Sequence, residues 1–223
     1  MIKLLAANIN QDIEDNKIEE FLKLISKEKL DKINRYRFRE DYLRSLYGDI
    51  LVRFEIIKQL GIANSDIKFT LNKYGKPYIE GYNNLFFNIS HSEDWVICAI
   101  SDEEVGVDIE KIEKAPVEVA EHYFHSREYK LIRSKASEEV DEYFYKMWTL
   151  KESYIKWIGK GLSKQLDSFS INEDINNEFY IGENKELRLN QCKFDKDYII
   201  SLCSKEVWDT NITVINMINV NIK

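Results

Sequence analysis

The chain has 223 residues, 44% of them hydrophobic and 32% charged, enough to fill the core of one generous domain or two small ones. Its 39 acidic against 32 basic residues leave a formal net charge of -7, which excludes a general nucleic-acid binder held by phosphate contacts over a wide surface, so any anion site must be local. Cys98, Cys192 and Cys203 are odd in number and far apart, which argues against a disulfide framework or a zinc site, and no apolar run suits a signal peptide or a membrane span, so the cytoplasm is the expected compartment.

Apolar residues at three- and four-residue spacings predict helix from about Lys17 to Gln59, stopped by "GIANSD". Strands follow at "IKFTLN", after which "KYGKP" turns, and at "LFFNIS" and "WVICAIS", joined as a hairpin through "HSED". "VGVDIEKI", Val105 to Ile112, reads as a further antiparallel strand. "PVEVAEHYFHSREYKLIRS" and "EVDEYFYKMWTLKESYIKWIG" read as helices, the second ending where Gly159 or Gly161 supplies a left-handed cap. Strands return at "FSIN", "LRLNQCKF", "YIISLCS" and "TVINMINVNI". "FTLN" matches "FSIN" and "WVICAIS" parallels "YIISLCS" in the same order, which raises an internal duplication with a cleft between two halves.

In an extended strand, residues two apart share a face about 6.5–7 Å from each other, so Asp108 and Glu110 point together while Val107 and Ile109 face the core. Two readings stay open: a solvated strand face, or ligands for a hard divalent cation, which takes carboxylate and phosphate oxygens. On the second long helix Phe144, Met147, Trp148, Tyr154, Ile155 and Ile158 form an apolar arc with Lys151 near its middle and Glu152 on its flank. Lys151 must therefore snorkel out or find an anion, and Lys156 follows Glu152 at the spacing of a simple helical ion pair. Ser90, His91 and Ser92 add hydroxyls and an imidazole at the hairpin, without the G-x-S-x-G elbow of a serine hydrolase. From Lys23 to Lys58 ten Lys/Arg meet six Asp/Glu, a basic island in an acidic chain.

"FNISHSEDWVICAI", "VGVDIEKI" and "FYKMWTLKESYIKWIGKGL", in that order, closely resemble the signature of the surfactin-type 4′-phosphopantetheinyl transferases, as do "YGKP" and "RSLYGDILVR", over roughly Lys29 to Ser170. The resemblance implies transfer of the phosphopantetheine arm of coenzyme A to a serine of an apo acyl or peptidyl carrier protein, releasing adenosine 3′,5′-bisphosphate. It implies an α+β fold of two similar halves related by a pseudo-twofold duplication, 1–103 binding coenzyme A and 104–223 carrying metal and catalysis, with the active site in the cleft between them. By the same resemblance Asp108, Glu110 and Glu152 hold Mg²⁺ (or Mn²⁺), Glu152 is the base, Lys156 stabilises the leaving phosphate, and Asp108 is needed for turnover. Lys29, Lys32, Arg44, Ser45, Lys76, Ser90, His91 and Lys151 match coenzyme A contacts. The length suits the monomeric branch, with no nucleic-acid or membrane partner, and Val117, Val119 and Tyr123 are candidates for carrier docking. The other classes to separate are a different Mg²⁺-dependent pyrophosphate reaction and a non-catalytic coenzyme A or carrier-binding module.

Overall fold

The computed structural model describes residues 1–175, 178–182 and 184–222. It is α+β, and its elements run β1 (Lys3–Asn8), α1 (Asp15–Leu22), α2 (Lys27–Ile33), α3 (Arg39–Leu60), β2 (Phe69–Leu71), β3 (Pro77–Ile79), β4 (Phe86–Ser92) and β5 (Trp95–Ser101). There follow β6 (Val105–Lys111), α4 (Val117–Tyr123), α5 (Ser126–Arg133), α6 (Val140–Ile158), β7 (Ile171–Glu173), β8 (Phe179–Ile181), β9 (Asn184–Phe194), β10 (Tyr198–Ser204) and β11 (Ile212–Val214). The succession of strand, two short helices, long helix, two short strands and hairpin thus occurs twice. One sheet has the order β11-β1-β5-β4 and the other β6-β10-β9-β8-β7, with β2 and β3 paired apart.

Alternation along the strands builds three apolar layers. Val96, Cys98 and Ile100 of β5 face α3 and pack with Leu46, Tyr47 and Ile50, while Trp95, Ile97 and Ala99 turn the other way. They meet Val105, Val107 and Ile109 of β6 and Ile200 and Leu202 of β10, so the two sheets share an inner core. The third layer lies between α6 and the outer face of the second sheet, where Phe144, Met147, Leu150 and Ile155 meet Leu187, Leu189 and Cys203.

Three details differ from the sequence reading. The first helical run is broken into α1, α2 and α3, and the run after Pro116 is broken at Phe124, because His125 caps α5 with its own side chain and with the Glu128 carboxylate returning to its backbone N–H. "HSED" is a tighter hairpin than expected: His91 pairs with Val96 and Ser92 with Trp95, leaving Glu93 at φ 44° to make the turn. In the carboxyl-terminal segment only Ile212–Val214 is strand; it runs parallel to β1, and Met217 and Val220 lie in the first-half core.

A seam between the halves and a close crossing within the second half shape the site. β4 and β6 are the facing edges of their sheets, and instead of a backbone ladder they are joined by side chains: Asn88 Oδ1 accepts from Val107 N (2.9 Å), Ser90 Oγ from Ile109 N (3.4 Å) and Ser92 Oγ from Lys111 N (3.1 Å). Polar residues at alternate positions of β4 thereby satisfy an edge that would otherwise expose its N–H groups. Behind β6, α6 crosses so closely that a Cβ at Gly106 would fall inside the contact distance of Ser153 O and of the Trp157 backbone. Gly106→Ala is therefore expected to cost at least the upper end of the about 1–3 kcal/mol typical of overpacking. A urea midpoint close to the parent's would show that α6 can slide and that the close crossing is not required.

Candidate active site

The outward side chains of β6 and the inner flank of α6 meet over a cavity of about 650 Å³. Its polar wall is Ser90, His91, Asp108, Glu110, Glu152 and Lys156; its apolar wall is Ile89, Val119, Tyr123, Trp148 and Leu166. Trp148 is fixed there by stacking on Phe124 and Phe144, each 6.0 Å away between ring centroids.

Asp108 is buried, and its Oδ1 receives Lys156 Nζ at 2.6 Å and Ser90 Oγ at 2.9 Å. Lys156 Nζ also donates to Ser90 Oγ (2.8 Å), which leaves one of its three N–H groups without a protein acceptor among the described residues. The simple pair with Glu152 is absent, since Lys156 turns to Asp108 and no ion pair joins it to Glu152 among the described residues. Burial pushes the Asp108 carboxyl above the ordinary carboxylate range even against the neighbouring ammonium. Glu110 accepts from Ser92 Oγ (2.8 Å), and burial together with the Asp108 charge raises its pKa to about 7. Glu152 is pushed up by burial and by Asp108 in the same way.

These residues suit a hard divalent cation. Asp108 Oδ2 is buried with no hydrogen-bond partner, and two further carboxylates on the same cavity are destabilised as anions by burial and by the Asp108 charge. Oxygen donors of this type select Mg²⁺ or Mn²⁺ over softer metals. Among the described residues no three His, Cys, Asp or Glu side chains stand close enough together to chelate one ion as they are, and the Lys156 ammonium occupies the place beside Asp108.

A pH dependence follows. Free glutamate ionises near 4.5 and Glu110 in the fold near 7, so between these values the folded chain holds the extra proton, and stability falls as pH rises through that window and levels off above it. Urea titrations from pH 5 to 8 in chelator should show this slope, and Glu110→Gln should flatten it. An unchanged slope in that variant would assign it to other groups.

Two of the predicted ligand contacts, Lys151 and Lys76, have every ammonium donor taken by the protein. Lys151 is fully buried and does not snorkel: its Nζ pairs with Glu128 Oε2 (2.8 Å), donates to Leu166 O and Phe169 O (both 2.9 Å), and lies over the Phe169 ring. All three of its donors are thus taken, and none is left for a ligand. Lys76 is likewise buried, with its ammonium on Glu104 Oε2, Val105 O and Trp157 O.

Ser90 and His91 do line the cavity. Burial, with the charges of Arg44 and Lys156, lowers the His91 pKa although part of the residue is exposed. Arg44 ties α3 to the hairpin through Glu93 O (2.6 Å) and pairs along its own helix with Asp41 (2.6 Å), with half-buried Ser45 next to it. Lys29 is partly desolvated near Asp49 and Arg53 at the α2–α3 contact, Lys32 is exposed on α2, and none of Lys29, Lys32, Arg44 and Ser45 is in the cavity wall. Asn88, Glu104 and Glu128 escaped the sequence reading; only the polar alternation Asn88, Ser90, Ser92 signalled any of them.

A family pattern described as the 4′-phosphopantetheinyl transferase superfamily matches residues 104–203, and one described as 4′-phosphopantetheinyl transferase, N-terminal, matches residues 13–103. The chain is 42% identical over 170 residues to the 4′-phosphopantetheinyl transferase Sfp of Bacillus subtilis (strain 168), covering 76% of each chain. The chain belongs to the 4′-phosphopantetheinyl transferase family. To the 4′-phosphopantetheinyl transferase gsp of Aneurinibacillus migulanus it is 37% identical over 216 residues, 96% of this transferase and 90% of that one. To ffp of Bacillus subtilis it is 41% identical over 170 residues, again 76% of each. Among the described residues of this transferase no helix is long and apolar enough to cross a membrane.

Proposed function

We propose that this transferase moves the 4′-phosphopantetheine arm of coenzyme A to a serine hydroxyl of an apo acyl or peptidyl carrier protein. The observation that carries the reading is the meeting of Asp108, Glu110, Glu152 and Lys156 on one cavity in a chain of this family. The serine oxygen attacks the phosphorus bearing the pantetheine arm, the bond to the bridging pyrophosphate oxygen breaks, and adenosine 3′,5′-bisphosphate departs. Glu152, whose proton affinity is raised by burial and by the Asp108 charge, accepts the serine proton. Lys156 presents its remaining N–H to the departing phosphate.

Asp108, Glu110 and Glu152 would hold Mg²⁺, or Mn²⁺ in its place. Such an ion supplies neutralisation of the pyrophosphate charge. Ser90 and His91, with Arg44 behind them, suit the phosphate-bearing side of coenzyme A, and the apolar wall with Val119 and the exposed Tyr123 suits the carrier. The repeated order of elements is read as a duplication whose halves share the site, and the enzyme as a cytoplasmic monomer without nucleic-acid or membrane partners.

The test is incubation with coenzyme A, Mg²⁺ and a panel of apo carrier proteins, followed by intact mass. A phosphopantetheine increment on a carrier, lost with chelator, is the expected result. Nucleotide release without a carrier would make this a pyrophosphate hydrolase, and coenzyme A binding without turnover a binding module.

A further inference from the structure

We infer that Lys76 is a positioning residue, an ammonium delivered from the first half of the chain to the carboxyl end of α6, and that Glu104 and Tyr78 hold it there. The inference rests on the transfer reaction proposed above. An ammonium has three N–H donors, and in Lys76 each has an acceptor: Glu104 Oε2 at 2.6 Å, Trp157 O at 3.1 Å and Val105 O at 3.3 Å. None remains for a phosphate. The other Glu104 oxygen accepts from Tyr78 Oη at 2.9 Å, so strand β3 fixes the carboxylate that fixes the lysine.

The acceptors explain the purpose. Trp157 O belongs to the last turn of α6, whose carbonyls have no partner within the helix and where positive charge is favoured by the helix dipole. Val105 O opens β6, the strand that bears Asp108 and Glu110. Lys76 therefore bridges the helix carrying Glu152 and Lys156 to the strand carrying the other two carboxylates. The loop is braced as well: Asn72 Nδ2 donates to Gly159 O (2.9 Å) while its Oδ1 accepts from Tyr74 N and Lys76 N (2.8 and 3.0 Å). Gly159 has φ 67°, and a Cβ there would come within 2.7 Å of Lys76 Cδ, so a glycine is needed for both the cap and the passage of the lysine. This joint forms a wall of a cavity of about 290 Å³ that Glu152 and Lys156 also line.

The test compares Lys76→Met, Glu104→Ala, their double variant and Glu104→Gln in the full chain, reading kcat, KM for coenzyme A, and coenzyme A Kd by calorimetry. Misplacement of reacting groups by a fraction of an ångström to 1 Å predicts a fall in kcat of about 10–100-fold in each single variant. KM and Kd should stay close to the parent's, the double variant should be no slower than the slower single one, and Glu104→Gln, which keeps an acceptor for Lys76, should recover most of the rate. A large rise in Kd for Lys76→Met with parental kinetics in Glu104→Ala would overturn the inference and make Lys76 a ligand contact. If Lys76→Met does not fold by circular dichroism, the Glu104 pair decides: parental kcat in Glu104→Ala overturns it. Should the parent itself fail to modify any carrier, amide exchange in the last turn of α6 separates the two failures, since faster exchange in Glu104→Ala supports the joint and unchanged exchange refutes it.

Discussion

Glu152→Gln is expected to slow carrier modification by about 10²–10⁴, the usual worth of a positioned acid or base. The change is nearly isosteric, so stability should stay close to the parent's. It should rise slightly near neutral pH, because the ionised Glu152 is disfavoured by burial and by the Asp108 charge. A residue serving only as half of an exposed helical pair with Lys156 would contribute about 0.3–0.5 kcal/mol and nothing to rate. The geometry already departs from that arrangement, since the Lys156 ammonium lies 2.6 Å from Asp108. Lys156→Ala should lower the rate with less effect on the Mg²⁺ concentration that gives half-maximal turnover, whereas Glu152→Gln should raise that concentration. The measurement is rate against Mg²⁺ for both variants beside the parent. Near-parental rates in both would remove this helix from the chemistry.

Glu128→Ala should cost about 3–5 kcal/mol, the loss expected when one member of a buried ion pair is deleted and the other is left charged without a partner. Both side chains are buried, the carboxylate 1% and Lys151 0% exposed, so water cannot replace the missing anion. Glu128 also accepts from Ile171 N at 2.7 Å and His125 N at 3.0 Å, which adds unsatisfied backbone donors to the cost. Urea unfolding monitored by tryptophan fluorescence measures it. Glu128→Gln keeps one acceptor oxygen, so it retains one of the two backbone bonds and should lose less. A loss below about 1 kcal/mol in Glu128→Ala would mean that the ammonium escapes to solvent, as a snorkelling lysine does.

The face shared by Asp108 and Glu110, with Val107 and Ile109 in the inner core, was legible in "VGVDIEKI", because strand alternation is a property of the backbone alone. The apolar arc of α6 and its end at Gly159 were legible for the same local reason, helical periodicity and a left-handed cap. The break at Phe124 was not, because it depends on a side-chain cap at His125, a residue type outside the usual capping set.

For Lys151 the sequence determined only that a charge sits in an apolar stripe. Whether it reached solvent, a ligand or an anion depended on which carboxylate another element would bring, and the packing of α5 on α6 supplied Glu128. The same holds for Lys76, whose three acceptors come from the β5–β6 connection, β6 and α6. A lysine in a turn is compatible with binding a phosphate or capping a distant helix, and the chain locally is the same in both cases. The pairing of β11 with β1 and the side-chain seam between β4 and β6 were likewise decided by closure of the whole chain. Residue type and periodicity are short-range quantities that determined which groups could do chemistry here. Which of them keep a free donor or an unpaired oxygen is set by partners far along the chain, and only the tertiary structure leaves Lys156 and Asp108 so while it satisfies Lys76 and Lys151.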